Sequence, residues 1–196
     1  MNQAKKRTNK KPFLKKHWSN ILFFIVFILF IIPDTRTKIQ SWIVVPLIGS
    51  PEILTNQNDI TIADYNVKLK DLQNKSFDLK DSKGTPILIN FWATWCSPCL
   101  AELPGLVELY DEFGDQVDFY FVSNETSEKL RKFLKQKKLN IPVYRPDSEL
   151  PEFYDTNSIP ATYLISADGE LVAKAKGMAN WYSNSVKETI KNLIKN

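Results

Sequence analysis

An uninterrupted run of large apolar residues stands near the start of the chain, and periodic patterns fill the rest. Residues 21–32 are all Ile, Leu, Phe or Val, without the polar positions that alternate along a half-exposed helix. The pattern changes at Pro33, and from about Asp59 short apolar runs alternate with stretches of helical periodicity. This order predicts a hydrophobic N-terminal segment followed by a separate α/β domain.

The clearest strand is Pro86–Trp92, a nearly continuous apolar run that is typical of a central strand buried on both faces. Other predicted strands are Tyr65–Leu69, Phe77–Leu79, Val117–Ser123, Ala161–Ser166 and Glu170–Lys176, the last two joined by an Ala-Asp-Gly turn. Predicted helices are Pro98–Phe113, Ser127–Lys138 and Asn180–Ile194. The pattern therefore predicts a central mixed β-sheet flanked by helices.

Charge is unevenly distributed along the 196 residues. The formal net charge is +4, yet residues 1–16 hold seven Lys or Arg and no acid, which leaves 19 basic and 22 acidic groups in the remaining 180 residues. A basic stretch before an apolar run is typical of an export signal or a membrane anchor. Since no small-residue cleavage pattern follows Ile32, we favour an uncleaved anchor over a cleaved signal.

We therefore predict four segments. They are a cytoplasmic tail over 1–17, a transmembrane signal-anchor over 18–33, a juxtamembrane linker over 34–58 and the α/β domain over 59–196. The positive-inside rule places the domain on the periplasmic or extracytoplasmic side of the cytoplasmic membrane. The anchor helix is short, about 22 Å against a hydrocarbon core of about 30 Å, so snorkelling lysines and local thinning are expected.

Both cysteines lie between the best strand and the best helix, in Trp95-Cys96-Ser97-Pro98-Cys99. A helix N-terminus stabilises a thiolate at the first cysteine. That thiolate can attack a disulfide, and the second cysteine, one turn along, can then release the product. A C-x-x-C beside a βαβ pattern indicates a redox motif.

Other kinds of site find little support in the sequence. Two cysteines are too few for a disulfide scaffold or a four-cysteine zinc site, and the one histidine, His17, precedes the apolar segment. The lysines at 135, 137 and 138 are not interleaved with aromatic residues, so we expect no nucleic-acid partner. No nucleotide, flavin or metal motif occurs, and the dithiol is expected to be the redox centre without a cofactor.

Residues 86–104, PILINFWATWCSPCLAELP, resemble the active-site segment of thioredoxin-fold proteins. The likeness is greatest to the TlpA/ResA-like membrane-anchored thiol–disulfide oxidoreductases, and it extends over about residues 60–196. It implies a thioredoxin-like fold, dithiol exchange at Cys96 and Cys99, and protein disulfides as substrates. Pro104 matches the proline that kinks the active-site helix in this fold.

The resemblance also implies residues that contact the substrate. Pro160 matches the cis-proline of the fold, which sits against the cysteines, and Ile159 before it can offer backbone hydrogen bonds to a substrate strand. Trp95 is expected beside Cys96 as substrate surface. We take Trp95, Pro98, Ile159 and Pro160 as candidate substrate-binding residues.

One departure from thioredoxin concerns the proton acceptor. Thioredoxin has a buried aspartate in the strand before the motif, where this chain has Asn90, which cannot take a proton. Glu102, three residues after Cys99 on the same helix face, matches an active-site glutamate of the ResA-like group. We hypothesise that it is the base, with a pKa raised by burial. The alternative is an exposed glutamate that favours the helix dipole.

The sequence leaves the direction of the reaction open. By resemblance we favour a reductase supplied by a transmembrane thiol donor. A disulfide-forming oxidant of the same fold is one alternative, and an anchored client-binding or chaperone module is another.

Overall fold

The computed structural model describes residues 18, 20–25, 27, 43–54, 62–154 and 156–195. The chain divides into two units, Met1–Lys38 and Ile39–Asn196. The described residues of the first unit are helical, with exposed apolar side chains such as Phe23 and Phe24. Within the described part of the chain, no helix is both long and apolar enough to cross a membrane. The predicted tail and residues 28–33 of the predicted anchor lie outside the described residues.

One eight-stranded mixed sheet forms the centre of the second unit. Its strands are β1 Glu52–Ile53, β2 Lys68–Asp71, β3 Ser76–Asp78, β4 Ile87–Phe91, β5 Asp118–Val122, β6 Val143–Pro146, β7 Ala161–Ile165 and β8 Leu171–Lys176. The spatial order is β1-β8-β7-β4-β5-β6-β2-β3. Strand β4 runs parallel to β5 and antiparallel to β7, and all five of its residues are buried, which confirms the predicted central strand.

Among the residues that the structure describes, three helices of more than ten residues accompany the sheet. They are α1 Ser97–Phe113, α2 Ser127–Lys137 and α3 Asn184–Lys195, and a short helical turn covers Val45–Leu47 and a 3₁₀ turn Leu79–Ser82. The N-cap residue of helix α2 is Thr126, whose side chain accepts a hydrogen bond from the Lys129 N–H. The predicted mixed sheet with helices is thereby confirmed, with boundaries that differ by a few residues.

Alternate residues of β4 point into two different apolar clusters. Leu88 belongs to the cluster that contains the apolar faces of the three helices, including Leu106 and Ile190. Ile87 and Ile89 belong to the cluster on the other side of the sheet. All five residues of β4 are paired with both β5 and β7, which defines the register of β4 and hence the position of the cysteines that follow it.

The structure differs from the sequence-based prediction at two strands. Strand β6 has no counterpart among the predicted strands, and it lies between β5 and β2. Pro142 precedes it and Pro146 ends it, and proline is uncommon within strands. Strand β1 falls within the predicted linker over 34–58 and pairs with β8. Before β1, the carbonyl of Gly49 accepts a hydrogen bond from the Asn180 N–H at 3.3 Å. The end of the predicted linker therefore packs on the domain.

Candidate active site

The two cysteines lie at the start of α1 and are joined by a disulfide with an S–S distance of 2.04 Å. Cys96 is the N-cap residue, and the Cys99 N–H donates a hydrogen bond to Cys96 Sγ at 3.2 Å. Pro98 occupies the first turn, where a missing N–H costs nothing. An amide of the first helical turn that donates to the first sulfur is the arrangement that stabilises a thiolate there.

The loop before β7 approaches the disulfide from the other side. Its Ile159–Pro160 peptide bond is cis, which confirms the expectation from the resemblance. The carbonyl oxygen of Ile159 lies 3.7 Å from Cys96 Sγ. The loop therefore presents backbone beside the first sulfur.

A groove of about 230 Å³ opens beside this loop. Phe91, Trp92, Leu150 and Ile159 supply apolar surface to it, and Trp95 forms part of its edge. The Trp95 side chain is 68% exposed, although it directly precedes a cysteine that is almost completely buried. The Trp95 indole is therefore accessible for contact beside the groove.

Glu102 lies on α1, one turn after Cys99, and is only 1% exposed. Its Oε1 accepts a hydrogen bond from Asn90 Nδ2 at 3.2 Å, and its Oε2 accepts one from the Ala179 N–H at 3.1 Å. Burial raises the pKa of Glu102 to about 8, and the two hydrogen bonds offset part of that rise. The raised pKa agrees with the hypothesis of a proton acceptor, and the exposed-glutamate alternative is wrong.

Asn90 connects Glu102 to the strand that follows Pro160. Its Nδ2 also donates to Thr162 Oγ1 at 2.7 Å. Asn90 and Thr162 are both 1% exposed, so a polar network runs from α1 through β4 to β7 in the interior. Such buried networks are rigid when satisfied and sensitive to the loss of one member.

A second glutamate holds the loop that precedes the cysteines. Glu125 accepts hydrogen bonds from the Thr94 N–H at 2.6 Å and from Thr94 Oγ1 at 2.8 Å, and its carboxylate pairs with Lys129 at 2.5 Å. Partial burial works to raise the pKa of Glu125, but the hydrogen bonds from Lys129 and Thr94 lower it below the usual range. Glu125 is therefore an ionised anchor of Thr94, two residues before Cys96.

Every residue predicted for the site lies in or beside it. Cys96, Cys99 and Glu102 share the first turns of α1, Pro98 is exposed between the cysteines, and the Ile159–Pro160 bond faces Cys96. Sequence reasoning missed Glu125, Thr162 and Ala179. Each contacts the site across at least 31 residues of chain, and no local pattern in the sequence marks such a contact.

No group of three or more His, Cys, Asp or Glu that could hold a metal ion occurs among the residues that the structure describes. The arrangement of the site is instead suited to reversible exchange at one disulfide. It provides a sulfur at a helix N-terminus, a second sulfur one turn along and a buried carboxyl group on the same helix.

Comparison with known proteins agrees with this geometry. The model of the AhpC/TSA family matches residues 61–174. The thiol-disulfide oxidoreductase ResA of Bacillus thuringiensis subsp. konkukian is 35% identical over 115 residues, which are 57% of this chain and 66% of that protein. ResA of Bacillus subtilis is 33% identical over 130 residues, 62% of this chain and 73% of that protein. The predicted ResA likeness is confirmed.

A solved structure extends the likeness to the fold. The thioredoxin domain of a thiol-disulfide oxidoreductase from Bacteroides vulgatus is 26% identical, with a TM-score of 0.55 over 67% of this chain and 99% of that domain. This confirms the predicted thioredoxin-like fold of the second unit. The match to the first ResA relative spans slightly less than two thirds of that relative's length.

Proposed function

Because the chain belongs to the AhpC/TSA family, we propose that it is a thiol–disulfide oxidoreductase that reduces protein disulfides with the Cys96–Cys99 dithiol. The observation that carries the proposal is the Cys96–Cys99 disulfide at the start of α1, with the Cys99 N–H on Cys96 Sγ. The names of the ResA relatives support the same class of reaction.

The reaction begins with the reduced pair. The Cys96 thiolate attacks one sulfur of the client disulfide, the client S–S bond breaks, and a mixed disulfide forms while the other client sulfur leaves as a thiolate. The Cys99 thiolate then attacks Cys96 Sγ, which breaks the mixed disulfide and releases the second client thiolate. Two electrons pass to the client, and the pair ends as the disulfide seen in this structure.

The second step needs a proton acceptor for the buried Cys99 thiol. We assign this role to Glu102, which is buried on the same helix and has a pKa of about 8. A pKa in this range allows the carboxylate to take the Cys99 proton and to pass it to a departing client thiolate. Neither Asn90 nor Thr162 can take a proton near neutral pH.

The client chain is proposed to lie along the cis-proline loop. There the Ile159 carbonyl, 3.7 Å from Cys96 Sγ, can accept a hydrogen bond from a client amide. Trp95 and the apolar groove beside it provide a place for one apolar side chain next to the client cysteine. Pro98, in the first turn of α1, and Pro160, which follows Ile159, are proposed to contact the client chain there.

Reduction of insulin disulfides tests the proposal. Wild type is expected to turn over with dithiothreitol as the donor, Cys96→Ser to lose all turnover, and Cys99→Ser to accumulate a mixed disulfide with the client. Turnover by Cys96→Ser contradicts the proposal. Client binding that is unchanged in Cys96→Ser, together with no turnover by wild type, favours a binding module.

The role of Glu102 has its own readout. General-base catalysis typically contributes 10²–10⁴-fold, so Glu102→Gln is expected to slow release of the mixed disulfide by roughly that factor near pH 8. The exposed Glu108→Gln on the same helix serves as the control. An unchanged pH profile of release in Glu102→Gln contradicts the assignment.

The direction of electron flow is proposed from the ResA likeness. A reductant needs a dithiol donor to reopen the Cys96–Cys99 disulfide, and we propose a transmembrane thiol carrier for this. The reduction potential of the pair decides the direction: a value near −270 mV, about that of thioredoxin, supports a reductant, and one near −120 mV, about that of a strong oxidant, contradicts it.

We further propose that the first unit anchors the chain in the cytoplasmic membrane, with the catalytic domain on the extracytoplasmic side. Support comes from seven basic residues before an apolar run and from the exposed aromatic side chains of Phe23, Phe24 and Phe27. The full chain is expected to stay in the membrane fraction after an alkaline wash. Recovery as a shortened soluble chain contradicts the anchor.

A further inference from the structure

One buried acceptor beside Glu102 has no hydrogen-bond partner. Asn90 uses Nδ2 twice, toward Glu102 Oε1 at 3.2 Å and toward Thr162 Oγ1 at 2.7 Å. Its Oδ1 is paired with nothing, although the side chain is only 1% exposed. A buried polar atom without a partner costs free energy, and native interiors contain few of them.

The unpaired oxygen belongs to Asn90, which is hydrogen-bonded to Glu102. Glu102 accepts hydrogen bonds as a carboxylate and can also donate one when it is protonated. The contacts of Glu102 suit a carboxylate, because Asn90 Nδ2 and the Ala179 N–H both donate to it. Once Glu102 has taken a proton, it also carries an O–H donor, which needs an acceptor in the interior. The N–H groups now facing the carboxyl cannot accept that hydrogen bond.

We propose that Asn90 is a positioning residue that serves Glu102 in both protonation states by turning its side-chain amide over. A half-turn about the terminal torsion exchanges the amide oxygen and nitrogen, which have nearly the same shape. In the turned state, Oδ1 takes the place of Nδ2 and accepts the hydrogen bond from the Glu102 O–H.

Thr162 is suited to both states of this amide. A hydroxyl group accepts as well as donates, so Thr162 Oγ1 accepts from Nδ2 in the present state and donates to Oδ1 in the turned state. Both contacts of Asn90 are therefore kept when the amide turns, and Nδ2 then replaces Oδ1 as the group without a partner. An aspartate at position 90 has no donor to offer the carboxylate and adds a second negative charge beside it.

The hydrogen-bond partners of Glu102 are neutral groups. Its hydrogen-bond partners are Asn90 from β4, itself linked to Thr162 of β7, and the Ala179 N–H from the loop before α3. Cys99, which carries a thiol in the reduced protein, lies one turn earlier on α1. No charged side chain contributes to its pKa among the described residues. In the reduced protein, the proposed exchange of a proton with Cys99 would thus leave Asn90 as the side chain that adapts to each state of Glu102.

The catalytic significance of the amide turn rests on the proposed role of Glu102, but the experiment that tests the turn does not. In the oxidised full chain no thiol exchange takes place, and the protonated carboxyl of Glu102 can be followed by its infrared C=O stretch. Glu102→Gln assigns the band by removing it. A failure of this test and a failure of insulin reduction are thus separate results.

Asn90→Leu removes the acceptor and keeps a side chain of similar size. The Glu102 band is expected to move to higher wavenumber, since the protonated carboxyl then lacks its hydrogen bond with Asn90. The turn itself is tested by the measurement on the unaltered protein described next. Asn140→Leu, the same change at an exposed position after α2, is expected to leave the band in place. An unmoved band in Asn90→Leu overturns the proposal.

A measurement on the unaltered protein covers the case in which Asn90→Leu does not fold. Nuclear Overhauser contacts between the Asn90 amide protons and the Thr162 methyl group are expected at pH values above the midpoint of the pH titration of the Glu102 band. They are expected to weaken below that midpoint. Contacts of constant strength through that midpoint show an amide that does not turn and overturn the proposal.

Discussion

Two glutamates lie near the start of α1, one on the helix itself and one after β5, and their surroundings shift their pKa values in opposite directions. Glu102 is buried with only amide donors around it, and burial raises its pKa to about 8. Glu125 has Lys129 and two donors from Thr94, and its pKa is lowered. The same type of side chain thus has a raised pKa in one place and holds a loop as a carboxylate in the other.

The largest expected difference between them is in the pH dependence of stability. Between pH 4.5 and about 8, folded Glu102 holds a proton that the unfolded chain has released. The free energy of unfolding of oxidised wild type should therefore fall as pH rises across this window, by about 5 kcal/mol, and level off above it. Denaturant unfolding of wild type and Glu102→Gln measures this contribution.

The matched control for this prediction is Glu108→Gln, an exposed glutamate on the same helix, which should keep the wild-type slope. If Glu102→Gln shows the same fall between pH 4.5 and 8 as wild type, Glu102 is not the titrating group and the contrast with Glu125 does not hold.

An intermediate effect is expected when the anchor of the loop is removed. Glu125→Ala leaves the Thr94 N–H without its acceptor, which should cost about 1–3 kcal/mol of unfolding free energy. Because the pKa of folded Glu125 is lowered, its contribution is present above the unfolded value of 4.5 and is lost as pH falls through the folded value.

The pH trend of Glu125→Ala is thus opposite in sign to that of Glu102→Gln. Glu128→Ala, which truncates an exposed glutamate in the first turn of α2, is the control and should change little. A loss in Glu125→Ala that is as large at pH 3 as at pH 7 would argue against an ionised anchor.

The smallest effect is expected from the ion-pair partner. The Lys129 side chain is 55% exposed, so Lys129→Ala should cost only about 0.2–1 kcal/mol and less at high salt. Lys132→Ala on the same helix is the comparison. A loss as large as that of Glu125→Ala would mean that Lys129, rather than the Thr94 contacts, keeps Glu125 ionised.

The local parts of this site could be predicted, and the distant ones could not. A nearly continuous apolar run identified β4, and the C-x-x-C after it located the disulfide, because both signals lie within a few residues. Thr162 and Ala179 reach Asn90 and Glu102 across 72 and 77 residues, so only the folded sheet brings them together. Strand β6 carries Pro146 at its end, a residue that is uncommon in strands, and its place depends on its neighbours β5 and β2.

The loop between β8 and α3 has a mechanical consequence. Its consecutive amides serve different partners: the Ala179 N–H binds Glu102, and the Asn180 N–H binds the carbonyl of Gly49. Because these two amides belong to neighbouring residues, a displacement of Gly49 that pulls on Asn180 also acts on the amide that binds the buried carboxyl group of Glu102. The segment that leads into β1 is thus linked to Glu102 through two hydrogen bonds and one peptide unit.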